Sequence, residues 1–153
     1  MTSKVAKKII SQSEQATWQE GFLLAQKLVS GETLALQGNL GAGKTKFLQG
    51  LASGLGVVDI VNSPTFNILK LYPVVNNAQV DHFCHIDAYR LNSEEDLISL
   101  GVEEFLADPK TIVAVEWAEK IDNLWPKNTL DISLKVLTEN DREIIIKKRP
   151  PSN

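Results

Sequence analysis

At 153 residues and 43% hydrophobic, the chain is long enough for one domain with a sizeable core, and no Pro/Gly/Ser-rich linker divides it. A net charge of −3 lacks the excess of Lys and Arg that grips a nucleic-acid backbone, so any RNA involved would be held through a partner. Cys84 is the single cysteine, which excludes an internal disulfide and a four-Cys zinc site. The lysine-broken start is too short for a signal-peptide core, and no run approaches the roughly 20 apolar residues of a membrane span, so a cytoplasmic location is expected.

In chain order, residues 5–10 predict a short strand. Ser11 or Ser13 then caps a helix through residue 29, with Trp18, Phe22, Ala25 and Leu28 along one face and Gly31 as its stop. A strand over 33–37 feeds Gly38-Asn39-Leu40-Gly41-Ala42-Gly43-Lys44-Thr45, which matches the phosphate-binding pattern G-x-x-x-x-G-K-[ST]. Glycines let backbone N–H groups close around phosphates, Lys44 supplies a point charge, and the Thr45 hydroxyl can hold Mg²⁺. The helix over 44–55 that follows carries Phe47, Leu48, Leu51 and Leu55 at helical spacing, and Gly54 and Gly56 end it. Strand, loop and helix therefore come in the order the motif requires.

Asn62-Ser63-Pro64-Thr65 reads as a loop, residues 66–72 as a strand and 74–79 as a hairpin connection. The next strand, 80–88, points Asp81, Phe83, His85 and Asp87 to one face and His82, Cys84 and Ile86 to the other. That parity separates Cys84 from His85 and argues against a transition-metal site there. Ser93-Glu94-Glu95-Asp96 starts a helix that continues through Gly101 to 106 or 107, with Leu97, Leu100 and Phe105 on its apolar face. Residues 111–115 form a continuous apolar run, a central strand covered on both faces, ending in Glu116-Trp117. Residues 130–136 and 143–148 make a last hairpin around Glu139-Asn140-Asp141-Arg142. Lys147-Lys148-Arg149 reads as a solvated run. The expected architecture is α/β, a P-loop NTPase-like three-layer fold whose mixed, partly parallel central sheet is flanked by helices, with 1–149 as one domain and 150–153 as a short tail.

Phosphoryl transfer needs a phosphate cradle, a metal, an acidic residue near it and a group that orients the nucleophile. Thr45 and Glu116 are the candidate Mg²⁺ pair, because that ion prefers hard oxygen ligands and open α/β sheets bind ligands at the C-terminal ends of their strands. Asp87, at a second strand end, is the candidate for orienting the attacking water or holding a metal-bound water. Thr65 reads either as a loop hydroxyl that senses the terminal phosphate or as an ordinary turn threonine. His85 is expected to hydrogen-bond near Asp87 or to pack, and Trp117 either to lie near the nucleotide, to form a partner surface or to be structural. Only Arg90, Arg142 and Arg149 occur, too few to clamp two phosphorylated substrates.

The phosphate loop, Ser63-Pro64-Thr65-Phe66, His85-Ile86-Asp87-Ala88-Tyr89-Arg90-Leu91, Leu100-Gly101 and Glu116-Trp117 together resemble the TsaE family, also called YjeE, over nearly the whole chain. The resemblance implies an ATPase that uses Mg²⁺ and works with TsaB and TsaD proteins in making the threonylcarbamoyl modification of adenosine 37 in tRNA. It implies metal binding by Thr45 and Glu116, hydrolysis through Asp87, and a switch role for Thr65. It also implies that the Glu14-Gln15-Ala16-Thr17 segment and Arg142 flank the base, although Asn140-Asp141 depart from the glycine often found before that arginine. Two other readings of the motif stand beside it. A small-molecule or nucleoside kinase would need the arginine-rich lid that this chain lacks, and a nucleotide-gated binding module would not turn over.

Overall fold

Every residue of β5 (Thr111–Glu116) is buried, because this strand runs through the middle of a sheet that carries helices on both faces. The structure is a computed structural model that describes residues 7–29, 31–64, 67–121 and 123–150. Its other strands are β1 (Lys7–Ser11), β2 (Thr33–Gln37), β3 (Leu69–Pro73), β4 (His82–Asp87), β6 (Thr129–Val136) and β7 (Arg142–Lys148). They form one seven-stranded sheet in the order β1-β7-β6-β2-β5-β4-β3. The centre, β6-β2-β5-β4, is parallel, whereas β7 and β1 on one side and β3 on the other are antiparallel additions. In the register, Glu116 lies opposite both Leu36 and Asp87, so the C-terminal ends of β2, β5 and β4 meet at one edge.

Helices α1 (Glu14–Ala25) and α2 (Lys44–Leu55) cover one face, packing Phe47, Leu48, Leu51 and Leu55 on Leu34, Leu36, Phe83, Ile112 and Ile132. The short helices α3 (Glu94–Ile98) and α4 (Val102–Ala107) cover the other, where Leu97, Val102 and Ile121 meet Cys84, Ile86, Val113 and Val115. The strand parity read from residues 80–88 holds: Phe83 enters the first core, and Cys84 and Ile86 enter the second.

Several boundaries differ from the sequence reading for identifiable reasons. The first helix ends at Ala25, not 29, because Gln26 and Lys27 donate to the carbonyls of Leu23 and Leu24 and tighten the last turn. Its most buried stripe is Thr17, Gly21 and Ala25, with Trp18 and Phe22 stacked at 5.3 Å and half-buried beside it. Small residues lie at the centre because α1 and α2 touch backbone to backbone. A Cβ on Gly21 would stand 2.0 Å from the Phe47 carbonyl oxygen, and one on Gly50 would stand 1.9 Å from that of Trp18. Gly54 belongs to the same contact inside α2 and does not end the helix, which stops at Gly56.

The expected helix through Gly101 is instead two pieces, split where that glycine takes φ +83°. The strand expected over 66–72 begins at Leu69, and the one over 80–88 is confined to His82–Asp87. β1 runs to Ser11, one residue beyond the expected end, and residues 5 and 6 lie outside the described residues. The basic run is not a free tail: Lys147 and Lys148 pair in β7, and an Arg149 Nη2 lies 2.9 Å from Asp131 with its guanidinium against Trp125.

Candidate phosphate and hydrolysis site

Helix α2 starts at Lys44 with Gly43 as its N-cap at φ +100°, a conformation that side-chain-bearing residues rarely adopt. No side chain caps this end, so its first-turn N–H groups are available to an anionic group. Gly41, at φ +81°, has open space around its Cα, so backbone conformation and not crowding asks for glycine there. The loop separates two cavities. One, of about 390 Å³, is lined by Leu40 to Lys46 with Glu14, Ser63, Asp87, Glu116 and Trp117. The other, of about 350 Å³, lies between the loop, the start of α1 and the β6–β7 turn, lined by Ser13, Glu14, Thr17, Glu139, Asn140 and Arg142 among others.

Lys44 is buried to 5% exposure, and its ammonium donates to the carbonyls of Gly38 and Asn39. Burial lowers its pKa, a shift opposed by the negative charges of Glu116, Glu119 and Asp87. The same ammonium stands 4.2 Å from the centre of the Trp117 ring, which also leans on Tyr89 at 5.0 Å. Trp117 adopts φ +58° at the turn leaving β5, and this backbone reversal brings its ring back over the loop. Trp117 thus touches the phosphate-loop lysine and also packs against the core of the α3–α4 face, so its contacts include those of a structural side chain. Sequence carries no signal for a left-handed tryptophan.

Asp87 is fixed from two sides. The Ser63 hydroxyl donates to Oδ2 at 2.8 Å, and the Tyr89 N–H donates to Oδ1 at 3.0 Å. Sequence places Ser63 in a loop beside Pro64 but carries no local signal for its bond to Asp87, 24 positions away. Glu116 is 3% exposed, and its Oε2 lies 2.7 Å from Nε2 of His85, which thus joins Glu116 and not Asp87. Cys84, on the opposite face, is a buried thiol pushed up to about 12 by desolvation, remote in orientation from His85. Thr65 lies outside the described residues, as does Phe66.

Ser13, not Ser11, caps α1, its hydroxyl accepting from the Ala16 N–H at 3.0 Å. Ser11 instead shares a 2.7 Å hydrogen bond with Thr17. Arg142 anchors the turn before β7, with Nη1 donating to the carbonyls of Thr138, Glu139 and Asp141, while Nη2 donates to that of Gly41 at 3.2 Å. Glu14 lies 3.9 Å from Lys46. Thus Arg142 lines one cavity and Lys44, Asp87 and Glu116 the other, while Glu14 and Thr45 border both. Among the described residues no cluster of three or more His, Cys, Asp or Glu converges as a protein-only metal site. The Thr45 hydroxyl and the Glu116 carboxylate are the hard oxygen donors that a Mg²⁺ ion sharing phosphate oxygens would take.

A family model described as threonylcarbamoyl adenosine biosynthesis protein TsaE matches residues 11–144. A tRNA threonylcarbamoyladenosine biosynthesis protein TsaE of Treponema pallidum is 38% identical over 137 residues, covering 90% of this chain and 97% of its own. One of Bacillus subtilis is 42% identical over 114 residues, covering 74% of this chain and 68% of its own. The crystal structure of Bacillus subtilis YdiB superposes with a TM-score of 0.75 at 30% identity, over 97% of this chain and 88% of that one.

Proposed function

The chain belongs to the TsaE family of threonylcarbamoyl adenosine biosynthesis proteins, and from that premise we propose that it is a Mg²⁺-dependent ATPase acting with TsaB and TsaD proteins in the tRNA modification. The observation that carries the reading is one cavity in which the uncapped start of α2, the Lys44 ammonium and the carboxylates of Asp87 and Glu116 meet. Backbone N–H groups of the loop and the ammonium of Lys44 bind the β- and γ-phosphates. The adenine side lies toward the cavity of Glu14 and Arg142. Thr45 and Glu116 would hold Mg²⁺, which, when bound, neutralises phosphate charge. Asp87, held by Ser63 and Tyr89, orients the water that attacks the γ-phosphate, and Thr65 is the proposed sensor of the terminal phosphate.

The net charge supports a role exerted through protein partners, with tRNA reached indirectly. No helix among the described residues is long and apolar enough to cross a membrane. The test is ATP hydrolysis by the purified chain at varied Mg²⁺, alone and with TsaB, TsaD and a substrate tRNA. Hydrolysis should rise with the partners and be lost in Glu116→Ala, and Lys44→Ala should weaken ATP binding by about tenfold or more, the worth of a charge-assisted hydrogen bond. Loss of ATP that depended on an added small-molecule acceptor, with no response to the partners, would overturn the reading in favour of a kinase.

A further inference from the structure

Glu116 and Asp87 end neighbouring parallel strands, yet their carboxylates are held in different ways. Both oxygens of Asp87 accept from donors outside the strands, Ser63 and the Tyr89 N–H. Glu116 is held from within the sheet. His85 lies opposite Ala114, two positions before the Asp87–Glu116 pair, so its ring occupies the layer directly beneath Glu116 on the same face. The two side chains are 0% and 5% exposed, and Nε2 stands 2.7 Å from Oε2. A carboxylate that ligates a metal only accepts, so in that role the hydrogen of this contact would lie on Nε2. The other ring nitrogen, Nδ1, is buried without a hydrogen-bond partner among the described residues, and the ring stacks on Phe83 with centroids 6.2 Å apart.

A histidine in this position is a costly way to fill a core. An apolar side chain would pack beside Phe83 without desolvating two ring nitrogens, one of which gains no partner. The polar contact recorded for the ring reaches one oxygen of one carboxylate, and that carboxylate lines the same cavity as Thr45. We propose that His85 is a positioning residue for Glu116, holding Oε2 so that the carboxylate keeps a single orientation and turns Oε1 to the cavity. The inference rests on the reading of Glu116 as a Mg²⁺ ligand. Outer partners of this kind change metal affinity by roughly 10–100-fold when removed.

The test is Mn²⁺ binding to the full chain in the presence of a non-hydrolysable ATP analogue, followed by electron paramagnetic resonance, alongside the Mg²⁺ dependence of hydrolysis. His85→Leu should weaken Mn²⁺ binding by about tenfold and raise the Mg²⁺ needed for half-maximal hydrolysis to match, leaving metal-free binding of the analogue unchanged. His85→Gln, whose side-chain amide can donate from a similar reach, should restore most of the loss. In a Glu116→Gln background, His85→Leu should change Mn²⁺ affinity no further. A His85→Leu protein with normal folding and wild-type Mn²⁺ affinity overturns the proposal while Glu116→Gln still weakens binding. If Glu116→Gln also leaves Mn²⁺ affinity unchanged, the metal reading of Glu116 falls with it. Should His85→Leu not fold, the nitrogen-15 resonances of His85 in the wild-type chain decide: they must report a proton on Nε2 and move in Glu116→Gln, and unmoved resonances overturn the proposal.

Discussion

On one face of the sheet α1 and α2 cross so closely that one added methyl at Gly50 would lie 1.9 Å from the Trp18 carbonyl oxygen, whereas on the other an added Cβ at Gly101, between α3 and α4, meets nothing within 4 Å. The first layer is set by backbone contact, the second by side chains such as Leu97 and Val102. The difference follows the site. Ser13 and Glu14 at the start of α1 and Gly43, Thr45 and Lys46 at the start of α2 line a common cavity, so the helix spacing that glycines fix also fixes its width. A leucine-filled interface could relax around a rotamer change, and the cavity would change width with it.

Substitutions can break or sharpen this contrast. The largest effect is expected for Gly50→Ala, which sets a methyl against backbone and should cost about 3 kcal/mol, lowering the melting temperature by about 10 °C. A melt within 2 °C of wild type, read against the roughly 10 °C expected, would mean that the helices can separate cheaply. Next is Asp87→Asn, which removes a carboxylate at the edge of the tight layer while keeping groups that can bond Ser63 and the Tyr89 N–H. Single-turnover hydrolysis should fall about 100-fold with ATP affinity unchanged. Parallel losses of rate and affinity would place Asp87 in binding. The smallest is Gly101→Ala, where only the left-handed backbone objects. It should cost about 1 kcal/mol, or about 3 °C, and leave ATP affinity untouched, as a calorimetric titration would show. An altered affinity would show that the second layer also shapes the site.

Much of this frame was readable before the fold was known. The strand-loop-helix order at residues 33–55 and the acidic end of the apolar run at Glu116 both follow from local pattern, and both lie at the edge where the phosphate loop sits. Alternation along residues 80–88 correctly assigned the faces of Phe83 and Cys84. What pattern could not supply was partnership across the sheet. It put His85 on the right face, but its hydrogen bond to Glu116, 31 positions away, depends on the register of two strands. Gly54 was misread because a glycine that ends a helix and one that admits another helix look alike in sequence, and only the neighbouring backbone of Phe22 distinguishes them. Continuous periodicity hid the break at Gly101, where a single left-handed residue outweighs the apolar spacing on either side.

The sheet order carries a consequence for how the chain is made. β7 lies between β1 and β6, so among the described residues β1 has no strand neighbour until residues 142–148 have been synthesised. The phosphate loop is translated early, yet the guanidinium that holds the Gly41 carbonyl arrives 101 residues later. Assembly therefore waits on a late, long-range pairing, and until then β1 is an unpaired strand that the nascent protein must keep from strangers.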